Sequence, residues 1–198
     1  MKMKAGNLAI VASALIALAG CQAKIDPATS RLSVKHGLDP DAATIDMTPK
    51  AITVADLSSQ KLPDSISGNL EDFQNKRAGP FEKQVWTVDA HIKSVQLRKD
   101  GDYYMEIQDS DGNKSVVEVP DPKLCKGSPL EGKIASTRKE LEEKYHPTSA
   151  KQEVDDAAKI DGVGFMGWHG RPNGGRLMPG TGIDFEGGSS TGSKKGSH

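Results

Sequence analysis

From Val85 onward, apolar residues recur at every second position. Trp86, Val88, Ala90 and Ile92 alternate with more polar neighbours, which predicts a half-buried β-strand. The apolar phase then slips to Val95 and Leu97, and a one-residue slip within a long strand predicts a β-bulge that bends it. Lys99-Asp100-Gly101-Asp102 reads as a tight turn with Asp-Gly at its centre. Tyr103, Met105 and Ile107 then share one face of a second strand, so Tyr103 is a core residue and Tyr104 points outward. Ser110-Asp111-Gly112-Asn113 makes a second turn, and Lys114 to Val119 a third strand, closed by Pro120.

The period then changes. Ser128-Pro129-Leu130-Glu131 has the form of a capping box with proline at the first helical position. Leu130, Ile134, Leu141 and Tyr145 form one apolar stripe, Glu140 and Lys144 sit a turn apart on the polar side, and His146-Pro147 ends the helix. A polar connection over 148–158 leads to two more predicted strands, KIDGVGF and GRLMPGTGIDFEG. Three strands, a helix and two strands is the order of a small five-stranded OB-like Greek-key barrel with one capping helix. The predicted fold class is therefore mainly β.

The flanks have another character. Residues 22–80 carry scattered prolines and small polar residues with no sustained period, and are expected to form a flexible tether. Two stretches within it, AITVADL and NLEDFQNK, are expected to form short local elements that dock on the domain. Residues 187–198 are a Gly/Ser-rich tail read as disordered. The expected organisation is a signal peptide over 1–20, a tether over 21–80, the barrel over 81–186 and the tail over 187–198. A tether of 59 residues would reach about 200 Å when fully stretched.

The N-terminus carries the address. Two lysines precede an apolar run too short for a membrane-spanning helix but of the length of a signal peptide's central region. The run ends in Leu18-Ala19-Gly20-Cys21, which resembles the lipobox of bacterial lipoproteins. That resemblance implies cleavage before Cys21, a diacylglycerol on its thiol and acylation of the new amino group, so that the membrane is a partner through a lipid anchor. Gln22, where an aspartate would suggest inner-membrane retention, points to the outer membrane facing the periplasm. With Cys21 lipidated, Cys125 is left without an intramolecular disulfide partner and reads as a buried thiol.

Charge adds little. Lys and Arg number 26 and Asp and Glu 27, and without Lys2 and Lys4 of the leader the balance is 24 to 27. That near-balance offers no general electrostatic reason to expect nucleic acid or an anionic membrane surface as a partner.

Gly162, Gly164 and Gly167 have the G-x-G-x-x-G spacing of a dinucleotide-binding loop. Arg171-Pro172-Asn173-Gly174-Gly175 follows, which is turn chemistry and not a helix opening on a phosphate. No nucleotide or other cofactor is expected; the glycines are read as allowing close backbone approach between the last two strands. Trp168, His169 and Arg171 at that loop tip, with Tyr104, are the candidate ligand-binding residues, since an aromatic, an imidazole and a guanidinium together stack on and hydrogen-bond a sugar or peptide. The alternative is that Trp168 caps the barrel while His169 and Arg171 satisfy backbone carbonyls. No metal site is expected: the histidines lack ligand spacing, and Asp109, Asp111 and Asn113 fit a hairpin turn better than a calcium loop.

The segments DGDYYMEIQDSDGNKSVVEVPDP, SPLEGKIASTR and GVGFMGWHGRPNGGRLMP resemble a group of small secreted bacterial proteins of unassigned function, over about residues 85–185. The pattern departs at Trp168, a displaced aromatic, and at Met178, which stands where that group usually has histidine. A looser similarity is to periplasmic bacterial OB-fold proteins. Neither resemblance implies a reaction. The expected function is an envelope binding or assembly module with a protein or glycan ligand. The alternatives are a periplasmic hydrolase or nuclease-like enzyme on the same barrel, or a structural subunit of an envelope complex.

Overall fold

The computed structural model describes residues 31–61, 73–166 and 174–186. Over these residues it is mainly β: a six-stranded sheet with one long helix and two short ones. The strands are β1 (Asp46–Ala51), β2 (Gln84–Leu97), β3 (Tyr103–Gln108), β4 (Lys114–Val119), β5 (Gln152–Met166) and β6 (Gly175–Phe185). The helices are α1 (Leu32–His36), α2 (Val54–Ser59) and α3 (Glu131–Tyr145).

β2, β3 and β4 form the antiparallel meander that the alternation predicts. The register of β2 shifts between Ile92 and Ser94 against both of its long neighbours, where the apolar phase slips. Both turns rest on a glycine with positive φ, Gly101 at 91° and Gly112 at 85°, a conformation that costs glycine little. β5 and β6 pair antiparallel, β6 meets β4 in parallel, and β5 returns to β2, so the pairings run β2–β3–β4–β6–β5–β2. Val88, Ile92, Met105, Ile107, Val117, Ile160 and Leu177 point into the space this ring encloses. Leu130, Ile134 and Leu141 of α3 are fully buried in the same core.

Four expectations need correction. The sheet has six strands, not five, because β1 adds in parallel beside the first residues of β2. β5 starts at Gln152, inside the stretch expected to be a polar connection. Lys144 pairs with Asp156 at 3.1 Å and not with Glu140. The expected tether contains folded chain: residues 31–61 and 73–80 supply α1, β1 and α2, and bury Val34, Ala42, Ile45, Val54, Leu57 and Ala78.

Buried ion pairs hold that segment down. The Arg31 guanidinium meets the Glu82 carboxylate with two hydrogen bonds, 2.7 and 2.6 Å, and both side chains are fully buried. Its other donors reach the carbonyls of Phe73, Lys76 and Met166. Glu82 also accepts from the backbone amides of Ala78 and Met166. Beside it, Arg77 grips Asp39 at 3.1 and 2.7 Å, again with both side chains fully buried, and donates to the carbonyls of Glu82 and Val34. Such pairs read as solvated residues in a sequence, which is why the segment looks like a tether.

Removing one member of a buried pair strands the other charge. Glu82→Ala is therefore expected to lower unfolding free energy by about 3–5 kcal/mol, whereas Lys50→Ala, which breaks an exposed pair with Asp46, is expected to change it by less than about 1 kcal/mol. A chain starting at residue 81 loses Arg31, Asp39 and Arg77 together and is expected not to unfold cooperatively. Urea titrations followed by tryptophan fluorescence test all three.

Candidate functional site

Of the sequence-predicted site residues, the described structure places Tyr104. Cys21, Trp168, His169 and Arg171 lie outside the described residues. Tyr104 is half-buried on the outward side of β3, between Gln96 of β2 and Glu118 of β4. The exposed Arg98 guanidinium lies over its ring at 4.5 Å from the centroid, and Arg98 also donates to Gln96 Oε1 at 2.8 Å. Next to this pair is a cleft of about 560 Å³ lined by Gln96, Leu97, Arg98, Lys99, Asp100 and Ser149. Its second wall comes from the segment after α3: Leu97 N–H donates to the Thr148 carbonyl and Gln96 Nε2 to the Ser149 carbonyl, both at 2.8 Å.

The turn carrying Arg98 and Lys99 is braced from three sides. Arg138 of α3 donates to the carbonyls of Gly101 and Val119 at 2.7 and 3.0 Å, and its guanidinium lies over the Tyr103 ring at 3.6 Å. Tyr103 is buried, and its hydroxyl donates to Glu142. From α1, the Lys35 ammonium contacts Asp100 at 3.0 Å, Glu118 at 3.3 Å and the buried Asp102. Burial alone would lower the Lys35 pKa, but Glu118 and Asp102 outweigh it and hold the ammonium above the ordinary lysine range. Burial raises the Asp102 carboxyl despite that lysine, whereas at Asp100 the lysine wins over burial and the pKa falls. Glu118 is held from its other side by Arg176 at 3.0 Å. Arg98 and Lys99 enter no ion pair among the described residues, so the braced turn presents two cations without a carboxylate partner there, with Arg98 stacked on the Tyr104 ring.

A second cleft, of about 470 Å³, lies at the opposite end of β3. Asp56, Asp89, Asp109 and Asp111 line it, but much of that acidity is used locally. Asp109 accepts from the Asp111 and Asn113 amides and from the Asn113 side chain, which lowers its pKa and shapes the turn; Asp56 caps α2 together with Thr53. Among the described residues, no group of three His, Cys, Asp or Glu side chains is placed to hold a metal ion.

Of the G-x-G-x-x-G glycines, Gly162 and Gly164 have a packing role, and Gly167 lies outside the described residues. A Cβ on Gly164 would lie 2.2 Å from the Phe81 carbonyl oxygen, and one on Gly162 would lie 2.5 Å from Leu177 Cβ. Gly162 and Gly164 belong to β5, which pairs antiparallel with β6, so no helix opens on these two glycines. Comparison of the chain with protein-family models, with characterised proteins and with solved structures finds no match.

Two titrating groups give direct checks. Cys125 is fully buried, and burial together with nearby Asp102 pushes its thiol up to about 12. It is expected to resist a disulfide reagent at pH 8 in the native protein and to react fully once urea unfolds it. Burial, with a contribution from Lys35, lowers the pKa of His36 below its ordinary 6.5. A group with a depressed folded pKa contributes stability above the unfolded value and loses it as pH falls. Stability is therefore expected to decline below about pH 6.5, and His36→Gln to flatten that decline in urea midpoints measured between pH 8 and 5.

Proposed function

We propose that this chain is a lipid-anchored envelope protein whose OB-like barrel acts as a binding or assembly module. The ring of pairings supports the barrel reading: a meander, a helix between its third strand and the next, and a last strand parallel to the third is the OB arrangement. On that reading β1 stands outside the ring. The observation that carries a binding role is the braced β2–β3 turn, which holds Arg98 over Tyr104 and Lys99 in the lining of a cleft, neither in an ion pair among the described residues. A site held rigid before its ligand arrives loses little entropy on binding. Leu18-Ala19-Gly20-Cys21 supports the lipid anchor.

The fold alters the reach of such a module. Residues 22–30, nine in all, separate Cys21 from Arg31, and Arg31 is locked into the core. Nine residues span at most about 30 Å, so the module works close to its own membrane and not far across the periplasm.

The test is a photo-crosslinking residue at Ser149, on the cleft wall, with one at the distant and exposed Lys139 as control. In cells, a discrete adduct is expected from position 149 and none from 139. Arg98→Ala and Tyr104→Ala are each expected to reduce it roughly fivefold or more, the scale of a cation–aromatic contact. No adduct at 149, or one indifferent to both substitutions, would remove the binding role from this cleft. Cys21→Ser is expected to shift the protein from the membrane to the soluble fraction.

A further inference from the structure

The β2–β3 turn does not stand alone at its end of the molecule. Gly101 faces Asp121, 3.5 Å from where its Cβ would be, so the turn abuts the short helical segment Pro122–Leu124. Lys35 ties the C-terminal half of α1 to the same turn. Gly37, just after α1, packs against Ser128 and Leu130. These contacts bring three surface segments together: the turn at Lys99, the stretch Lys123-Leu124-Cys125-Lys126, and Gly37-Leu38.

What they expose is unusual for this protein. Leu38 and Leu124 are the two exposed large hydrophobic residues among those described, 46 % and 45 % accessible. Around them Lys99, Lys123 and Lys126 are all exposed, and none enters an ion pair among the described residues. Of the nearby carboxylates, Asp100 and Asp102 face Lys35, Glu118 lies between Lys35 and Arg176, and Asp39 pairs with Arg77; Asp121 and Glu131 are oriented by the Lys123 and Gly127 amides. Leucines ringed by free ammonium groups match a bilayer surface, where apolar tips enter the headgroup boundary and lysines meet phosphate.

The chain geometry brings this end to a membrane. Arg31 lies one helical turn before Lys35, whose ammonium is 3.0 Å from Asp100 in the turn. The point where residues 22–30 join the fold is therefore close to the Lys99 turn. We propose that the Leu38–Leu124 end, with Lys99, Lys123 and Lys126, is a docking surface for the anionic phospholipid bilayer to which Cys21 tethers the chain. The inference rests on the lipoprotein reading for its setting, but the surface binds lipid without the acyl chains.

The test uses the chain from residue 21 onward with Cys21→Ser, which keeps every described residue and carries no acyl group. Sedimentation with vesicles of 30 % phosphatidylglycerol in phosphatidylcholine is expected to show binding that falls with salt, against little binding to pure phosphatidylcholine. Lys123→Glu/Lys126→Glu is expected to weaken binding at least tenfold and Leu38→Ser/Leu124→Ser several-fold. Lys139→Glu/Lys159→Glu, with the same charge change elsewhere, is expected to leave it within twofold. Equal loss in the control pair, or equal binding to neutral vesicles, would overturn the proposal. So would no binding to either vesicle by the Cys21→Ser chain that keeps Leu38, Leu124 and all of these lysines. Lys123 and Lys126 do not line the cleft beside Ser149, so the crosslinking experiment and the vesicle experiment tell failure of the binding-module reading from failure of lipid docking.

Discussion

One buried carboxylate organises much of this molecule. Glu82 sits in the short helical turn just before β2 with no access to solvent. An ionised carboxylate is tolerated there only when its acceptor positions are filled. Two are filled by Arg31, one by the Ala78 amide and one by the Met166 amide. Those partners come from the start of α1, the loop before β2 and the end of β5. A single side chain thus fixes three stretches of chain that are far apart in sequence, and Arg77 repeats the device between Asp39 and the Glu82 carbonyl. Segment 31–39 is attached mainly by ionic geometry, with Val34 packed on Phe165 and Met178 as its apolar contribution.

The same fact separates what was legible in the sequence from what was not. β2, its bulge, β3, β4, both turns and the apolar stripe of α3 rest on local signals: alternation, helical spacing, and glycines where φ is positive. The N-terminal half of the fold rests on pairs such as Arg31 with Glu82, 51 positions apart, and Arg77 with Asp39, 38 apart. Read singly, each of these residues belongs in water, so the segment passes for a linker. β5 misleads in a related way. Its first residues alternate Glu153 and Asp155 with Val154 and Asp156, and Asp156 is tolerated on the less exposed side because the Tyr145 hydroxyl and Lys144 meet it.

The candidate site shows the same division. Alternation along β3 puts Tyr104 outside and Tyr103 inside, and the structure agrees. Nothing local marks Arg98 or Ser149, because the cleft exists only where the end of β2 meets residues that follow α3, about fifty positions later. Trp168, His169 and Arg171 fall outside the described residues, but the flanks of their segment are fixed: the Met166 amide by Glu82, and the Gly174 amide by the Gln60 carbonyl at 3.0 Å. The N-terminal segment therefore frames that segment on both sides, through Arg31 and through the end of α2.

Whole-chain charge also conceals the electrostatic character of the fold. Arg31, Arg77 and Lys35 are consumed in the interior with their carboxylate partners, so the net balance says little about the surface. Two groups of the remaining charges lie at opposite ends of β3. Lys99 lies at the turn before it, with Lys123 and Lys126 close by; Asp109 and Asp111 lie at the turn after it, with Asp56 and Asp89 around the second cleft. Six residues of strand, at about 3.4 Å each, put roughly 20 Å between the two turns, more than the screening length of about 8 Å at physiological salt. At that distance the two ends respond separately to a charged surface: phosphate attracts the lysine end and repels the aspartate end. The opposed signs turn the domain before any contact forms. On the proposed lipid anchor, a leash of nine residues joined near the lysine end favours the same orientation, with the aspartate end turned away from the bilayer.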